Sequence, residues 1–245
     1  MDNYEYDYVD QYTDSGIQDV IYEERSDVFS EVLTKSFIFM FAALIITAIG
    51  AFTTSPMAAY KLLSGGAFPV VIVVELVVVL LSNWAIRKNN AVLAGVFYTI
   101  YSYVTGFICS IIFMAYSMRT IGMTFIVCAG MFGAMAVIGL LTKKNLNSLG
   151  SYLGMALIGL ILASACNILF IGSFGFDFIV TIVGILVFVG LTAYDAQKIK
   201  ERAMYADENS VLSLALFNGF QLYLDFINLF LRLLSILGGS KGRRK

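Results

Sequence analysis

The sequence predicts an all-α integral membrane protein, and three observations carry that prediction. Of 245 residues, 59% are hydrophobic and 13% charged, with a mean hydropathy of +0.83; soluble domains carry roughly a quarter of charged residues. Seven apolar runs, at about 36–52, 68–86, 91–115, 121–141, 149–171, 176–194 and 211–237, can each cross ~30 Å of hydrocarbon. The last run carries a polar stripe that a helix in lipid tolerates only against protein or water. The expected organisation is an acidic tail over 1–35, one seven-helix membrane domain over 36–237, and a short basic tail over 238–245, with the lipid bilayer as partner and no nucleic acid.

The N-terminal tail holds ten acidic side chains (Asp2, Glu5, Asp7, Asp10, Asp14, Asp19, Glu23, Glu24, Asp27, Glu31) against Arg25 and Lys35. Tyr4, Tyr6, Tyr8, Tyr12 and Tyr22 interleave without apolar periodicity. It lacks the basic start and apolar core of a signal peptide. The composition predicts a disordered, solvated tail with a short helix from about Ile17 into the first span.

The second span places Glu75 at mid-depth, where it needs a partner or water; structural and pore-lining roles are equally open. Trp84, Tyr98, Tyr101 and Tyr103 suit an interfacial belt as well as an interior role. Gly130, Gly133, Gly139, Gly154, Gly159, Gly184 and Gly190 are expected to let helices approach closely, and Asn167 in the fifth span to join helices by hydrogen bonding. In the sixth span Thr181, Gly184, Thr192 and Asp195 share one side. That helix is expected to continue through Lys198–Arg202, with Asp207, Glu208, Asn209 and Ser210 supplying a turn and a cap for the seventh.

The seventh span is the most informative. Asn218, Gln221, Asp225, Asn228 and Arg232 recur at gaps of three, four, three and four, which places all five on one helical face, extended by Ser235. A surface amphipathic helix is the plain alternative, but Leu, Phe and Ile fill the other positions and six apolar runs precede it. With Asn218 near the membrane boundary, Asp225 lies about 10 Å deep and level with Asp195. Asn218 and Gln221 mark the mouth. Asn228 either braces Asp225 or packs between helices, and Arg232 either pairs with Glu75 or snorkels outward.

Other chemistries are excluded by what is missing. The chain has no histidine, so the common general base and the usual zinc ligands are absent. Cys109, Cys128 and Cys166 lie in separate apolar runs without a paired motif and read as small fillers. No lysine lies inside a span for a Schiff base, and no cofactor is expected. Arg87, Lys88, Lys143, Lys144, Lys198, Lys200 and Arg202 fall on the side of the N-terminal tail, which the positive-inside rule places in the cytoplasm. The basic end (Lys241, Arg243, Arg244, Lys245) conflicts with an outward C-terminus, so the last segment either crosses fully or dips and returns. The short chain without a targeting leader points to a bacterial plasma membrane.

Gly190-Leu-Thr-Ala-Tyr-Asp-Ala-Gln197 and Leu222-Tyr-Leu-Asp-Phe-Ile-Asn-Leu-Phe230 resemble the paired signatures of the transmembrane Bax inhibitor motif family. The resemblance implies six helices wrapped around a central seventh, and a calcium-permeable leak gated by a pH-sensitive aspartate pair. By position that pair is Asp195 and Asp225; the family's basic residue near the pair falls on Arg87 and its second-span acid on Glu75, through a looser match.

Physical chemistry supports such a device. Two carboxyls in a desolvated site cannot both ionise cheaply, so they hold a proton between them and titrate as a unit. The shared proton latches the sixth helix to the seventh; its loss leaves repulsion that a hard cation such as calcium relieves transiently on Asp195 and Asp225. Acid is therefore expected to close the path and neutral pH to open it, with Arg87 pairing with Asp195 in one state. A proton-coupled secondary transporter is the alternative, although no span has an internal Pro–Gly break. A diaspartyl intramembrane protease fits less well. Its Gly-x-Gly would occupy the positions of Leu222 and Leu224, and the only prolines are Pro56 and Pro69. No enzymatic activity is expected.

Overall fold

Each apolar run is helical in the computed structural model, which describes residues 3–204, 206 and 210–239, with side chains for 26–67, 69–71, 73–204, 206 and 210–239. In order the helices are α1 (Asn3–Thr53), α2 (Pro56–Leu62), α3 (Phe68–Arg87), α4 (Ala91–Cys109), α5 (Ile112–Ala115), α6 (Met118–Leu141), α7 (Asn147–Cys166), α8 (Phe174–Ala203) and α9 (Val211–Gly239). Seven segments are long and apolar enough to cross a membrane: Ser26–Thr53, Pro69–Arg87, Ala91–Ala115, Met118–Leu141, Asn147–Ile171, Phe174–Ala203 and Val211–Gly239. No strand occurs among the described residues.

Local chemistry sets the boundaries. Pro56 opens α2, where a missing N–H costs nothing. Asn90, Ser117 and Ser173 cap α4, α6 and α8, their side-chain oxygens accepting from Leu93 N (3.0 Å), Thr120 N (3.2 Å) and Phe176 N (3.3 Å). The third span is not one rod: α4 stops at Cys109 and a turn at 110–111 precedes α5. Two irregular turns stand out: a kink at Gly66 (φ 100°) joins α2 to α3, and a wider π turn at Asn167–Ile171 closes the fifth span. The second ends at Gly172 in the left-handed region, φ 61°. Asn167 is not the interhelical link expected of it. Its Nδ2 donates to Ser173 O (3.2 Å) and its Oδ1 accepts from Ser173 N (3.0 Å), so it fastens the α7–α8 turn.

One boundary expectation needs correction, and one left open is narrowed. The tail over 1–35 was expected to be largely disordered, yet α1 runs as one helix from Asn3. Once the membrane-anchored part is formed, each added residue extends it at the cost of one residue's freedom for one hydrogen bond, without a new nucleus. At the other end, α9 is a single helix of 29 residues, with no break at which the chain could dip and return. The expected turn residues Asp207, Glu208 and Asn209 and the basic tail from 240 lie outside the described residues.

The bundle is built around α9, which packs against α1, α3, α4, α6 and α8, while α7 packs on α8. Leu222, Tyr223 and Leu229 on α9 are fully buried, whereas Leu80 on α3 is 68% exposed, as a lipid-facing residue can be. Lipid is as apolar as leucine, so close backbone approach and hydrogen bonds hold such helices together. On α9, a Cβ at Gly219 would come within 2.7 Å of Ser36 O on α1. Tyr98 OH donates to Gly219 O (3.1 Å), and Tyr223 OH bonds Thr47 Oγ1 (2.7 Å), which donates to Ser102 O (2.9 Å). Tyr98 and Tyr101 stack edge-on against Phe220 and Tyr223. They are interior residues; Trp84 and Tyr103 are the ones left exposed. Of the seven glycines expected at close approaches, Gly139, Gly184 and Gly190 are at them, while Gly130, Gly133, Gly154 and Gly159 face open space.

Candidate gating site

α8 and α9 lie antiparallel, and three facing positions define their register. The Arg232 guanidinium fills the space left by Gly184, Asp225 faces Asp195, and Asn218 faces Arg202. Asp195 is 7% exposed and Asp225 5%. The two carboxyl groups are direct electrostatic neighbours. Ionised carboxylates only accept, so a bond between them requires one proton. Asp225 Oδ2 is buried and has no partner among the described residues.

The basic group beside the pair is not Arg87. α8 continues past the apolar run that ended at 194, and Arg202, two turns beyond Asp195 on the same face, supplies the nearby positive charge. Its Nη1 donates to Asn218 Oδ1 (2.7 Å) and to Gln221 Oε1 (2.8 Å), and its guanidinium lies 4.8 Å from the centre of the Phe217 ring. The stripe residues Asn218 and Gln221 therefore hold an arginine across the tail-side end of the α8–α9 interface. Arg87 is exposed and forms no ion pair among the described residues. The sixth helix was expected to continue through Arg202, but spacing alone does not show which arginine faces the pair.

The remaining candidates separate. Asn228 Nδ2 donates to Leu224 O (2.8 Å) on its own helix and does not brace Asp225. Arg232 Nη1 donates to Val180 O (3.2 Å), with the Phe188 ring 5.6 Å away and Asp177 as its acidic neighbour. It is thus satisfied by α8 and does not pair with Glu75. Glu75 Oε1 instead accepts from Thr105 Oγ1 (3.1 Å), tying α3 to α4. Glu75 and the aspartate pair therefore belong to different helix interfaces.

The turn that carries Asp195 is clamped from two sides. A Cβ at Gly139 of α6 would collide with the Ala193 carbonyl, and one at Gly150 of α7 with the Tyr194 ring. Gln197, the glutamine of the Tyr-Asp-x-Gln motif, grips the α6–α7 connection. Its Oε1 accepts from Leu146 N and its Nε2 donates to Lys144 O, each at 2.8 Å. Sequence reasoning missed this residue, whose motif position was the only signal. Replacing Gln197 with alanine is expected to free the 142–146 connection at a cost of about 1–3 kcal/mol. Faster hydrogen exchange at the Leu146 amide would register it; unchanged exchange would contradict the clamp.

Two cavities, each of about 810 Å³, flank Arg202. One lies between α3 and α9 and is lined by Arg87, Trp84, Gln221 and Leu224. The other lies beside Tyr194, Lys198, Glu201 and Ser213. Arg202 lines both cavities, and neither is lined by Asp195 or Asp225. Among the described residues no group of three or more Asp, Glu, Cys or His side chains is placed to hold a resident metal. Two carboxyls supply at most four of the six to eight oxygens calcium takes.

The sequence model of the family described as "Inhibitor of apoptosis-promoting Bax1" matches residues 29–242. The chain is similar to the inner membrane protein YbhL of Escherichia coli strain K12, with 42% identity over 173 residues, 69% of this chain and 74% of that protein. It is also similar to an uncharacterized protein of Borreliella burgdorferi, 37% identical over 223 residues (88% and 96%). A third relative, the uncharacterized RP147 of Rickettsia prowazekii, is 37% identical over 212 residues (85% and 89%).

Proposed function

Because this chain belongs to the Bax inhibitor-1 family of multi-pass membrane proteins, we propose that it is a cation leak, permeable to calcium, whose path between α8 and α9 is closed by the Asp195–Asp225 pair. The observation that carries this reading is the facing of two buried carboxyls from adjacent spans, a costly arrangement that packing alone does not require. With one proton shared, the carboxyls latch α8 to α9. When that proton leaves, like charges repel across the interface, and a divalent cation gains two oxygen ligands as it passes. The latch is present at acid pH and lost as pH rises through the titration of the pair, so conduction rises toward neutral pH. Arg202, bridging Asn218 and Gln221, adds a fixed positive charge at the mouth. On this reading the N-terminus faces the cytoplasm and the mouth opens there.

Calcium entry into proteoliposomes, measured between pH 6 and 8, tests the proposal. An asparagine amide donates its own hydrogen bond and needs no shared proton. Asp195→Asn and Asp225→Asn are therefore each expected to stay latched, with low flux that no longer rises with pH. PH dependence as steep as that of the unaltered protein in both variants would overturn the latch. Solute movement driven by a pH gradient without passive calcium flux would replace the leak with a proton-coupled transporter.

A further inference from the structure

The cavity between α3 and α9 shares Arg202 with the mouth of the proposed leak and adds Arg87 and an apolar wall that the leak does not use. Its lining contains two arginines, Arg87 and Arg202, and no acidic side chain. Neither arginine has an ion-pair partner within 4.0 Å among the described residues; Arg202 is held by neutral amides and Arg87 is exposed. Deeper along α3 the lining is apolar, with Val79 and Leu80, and Phe220 and Leu224 of α9 line the same cavity. Val79 precedes Arg87 by eight residues, so charge and grease are separated by about 12 Å along α3. The wall is open to the bilayer, since Leu80 and Trp84 on this face are 68% and 52% exposed.

We propose that this cavity, about 810 Å³ in volume, is a binding site for an anionic phospholipid, whose headgroup phosphate sits between Arg87 and Arg202 and whose acyl chain lies along Val79, Leu80, Phe220 and Leu224. Charge complementarity selects this occupant. Two guanidiniums present paired donors matched to phosphate oxygens, and the apolar wall excludes a fully hydrated anion from the remainder of the volume. A zwitterionic lipid also fits the wall but carries a cation toward the arginines. Each basic group near an anionic membrane surface contributes about 1 kcal/mol, or about fivefold in affinity. Occupancy does not depend on the conduction proposal, because it is read without ion flux.

Trp84 is the only tryptophan of the chain and lines this cavity, so its fluorescence reports the occupant directly. The full-length protein is reconstituted in phosphatidylcholine vesicles containing a minor fraction of brominated phosphatidylglycerol or, separately, brominated phosphatidylcholine. Brominated phosphatidylglycerol is expected to quench Trp84 at a lower mole fraction, and Arg87→Gln to reduce that preference about fivefold. Arg87 is exposed, so folding does not depend on it. Arg119→Gln removes the same charge from another exposed site and is expected to change nothing. Equal quenching by both lipids overturns the site, as does an equal loss in the Arg87 and Arg119 variants, which would mark general surface attraction. If inorganic phosphate added to neutral vesicles shifts Trp84 emission as phosphatidylglycerol does, a free anion is the occupant and the lipid assignment falls.

Discussion

Replacing Arg202 with glutamine is expected to raise calcium entry at neutral pH by about tenfold or more in the same proteoliposome assay. The guanidinium bridges Asn218 Oδ1 and Gln221 Oε1, and Arg202 lines both cavities and is the positive charge nearest Asp195. A fixed unit charge about 8 Å from a divalent ion, at an effective dielectric constant of about 20, opposes it by about 4 kcal/mol. Even after screening by water in the cavities, removing it exceeds the 1.4 kcal/mol that separates tenfold steps. Arg202→Lys distinguishes charge from placement: a compact ammonium keeps the repulsion but lacks the planar fork that spans the two amides. Flux is therefore expected to stay low in Arg202→Lys and rise in Arg202→Gln. If both variants match the unaltered protein, Arg202 does not lie on the path.

The second large effect is expected at Gly139. A Cβ there collides with the Ala193 carbonyl, a backbone atom that cannot swing aside as a side chain would. Gly139→Val must force α6 and α8 apart, and overpacking of this kind costs about 1–3 kcal/mol or more. Ala193 lies two residues before Asp195, so the same shift misaligns the pair. Lower thermal stability in detergent and a flattened pH response are both expected. Gly133→Ala on the same helix is the matched control: its Cβ meets open space, and alanine gains about 1 kcal/mol of helix propensity over glycine. Equal behaviour of the two variants would show that the α6–α8 approach does not govern the site.

Much of the architecture is legible in the sequence. Apolar runs of membrane length specify spanning helices because lipid offers no partner for an unpaired backbone group. The same logic singled out Asp225, since an ionisable residue at depth must meet protein or water. Asp195 followed from its depth and from the paired family motifs, and the structure brings the two together. Roles that depend on what a side chain faces were harder to read. Asn228 and Asn167 have polar tips that local backbone satisfies, at Leu224 O and Ser173; spacing does not reveal whether a bond is local or between helices. Tyr98 and Tyr101 have the composition of an interfacial belt and the positions of a core.

The sequence by itself determined that the chain carries seven apolar runs of membrane-spanning length, that its last helix carries a polar face, and that Asp225 is the residue at which that face must be explained. These are consequences of transfer free energy and helical periodicity, both local properties of a chain in lipid. Only the tertiary structure decided the partners: Arg202 instead of Arg87 beside the pair, Val180 instead of Glu75 for Arg232, Thr105 for Glu75, and Gln197 for the α6–α7 connection. Those assignments depend on the rotation and register of one helix against another. In lipid, rotation and register are set by where small residues such as Gly139, Gly184 and Gly219 let backbones and large side chains meet.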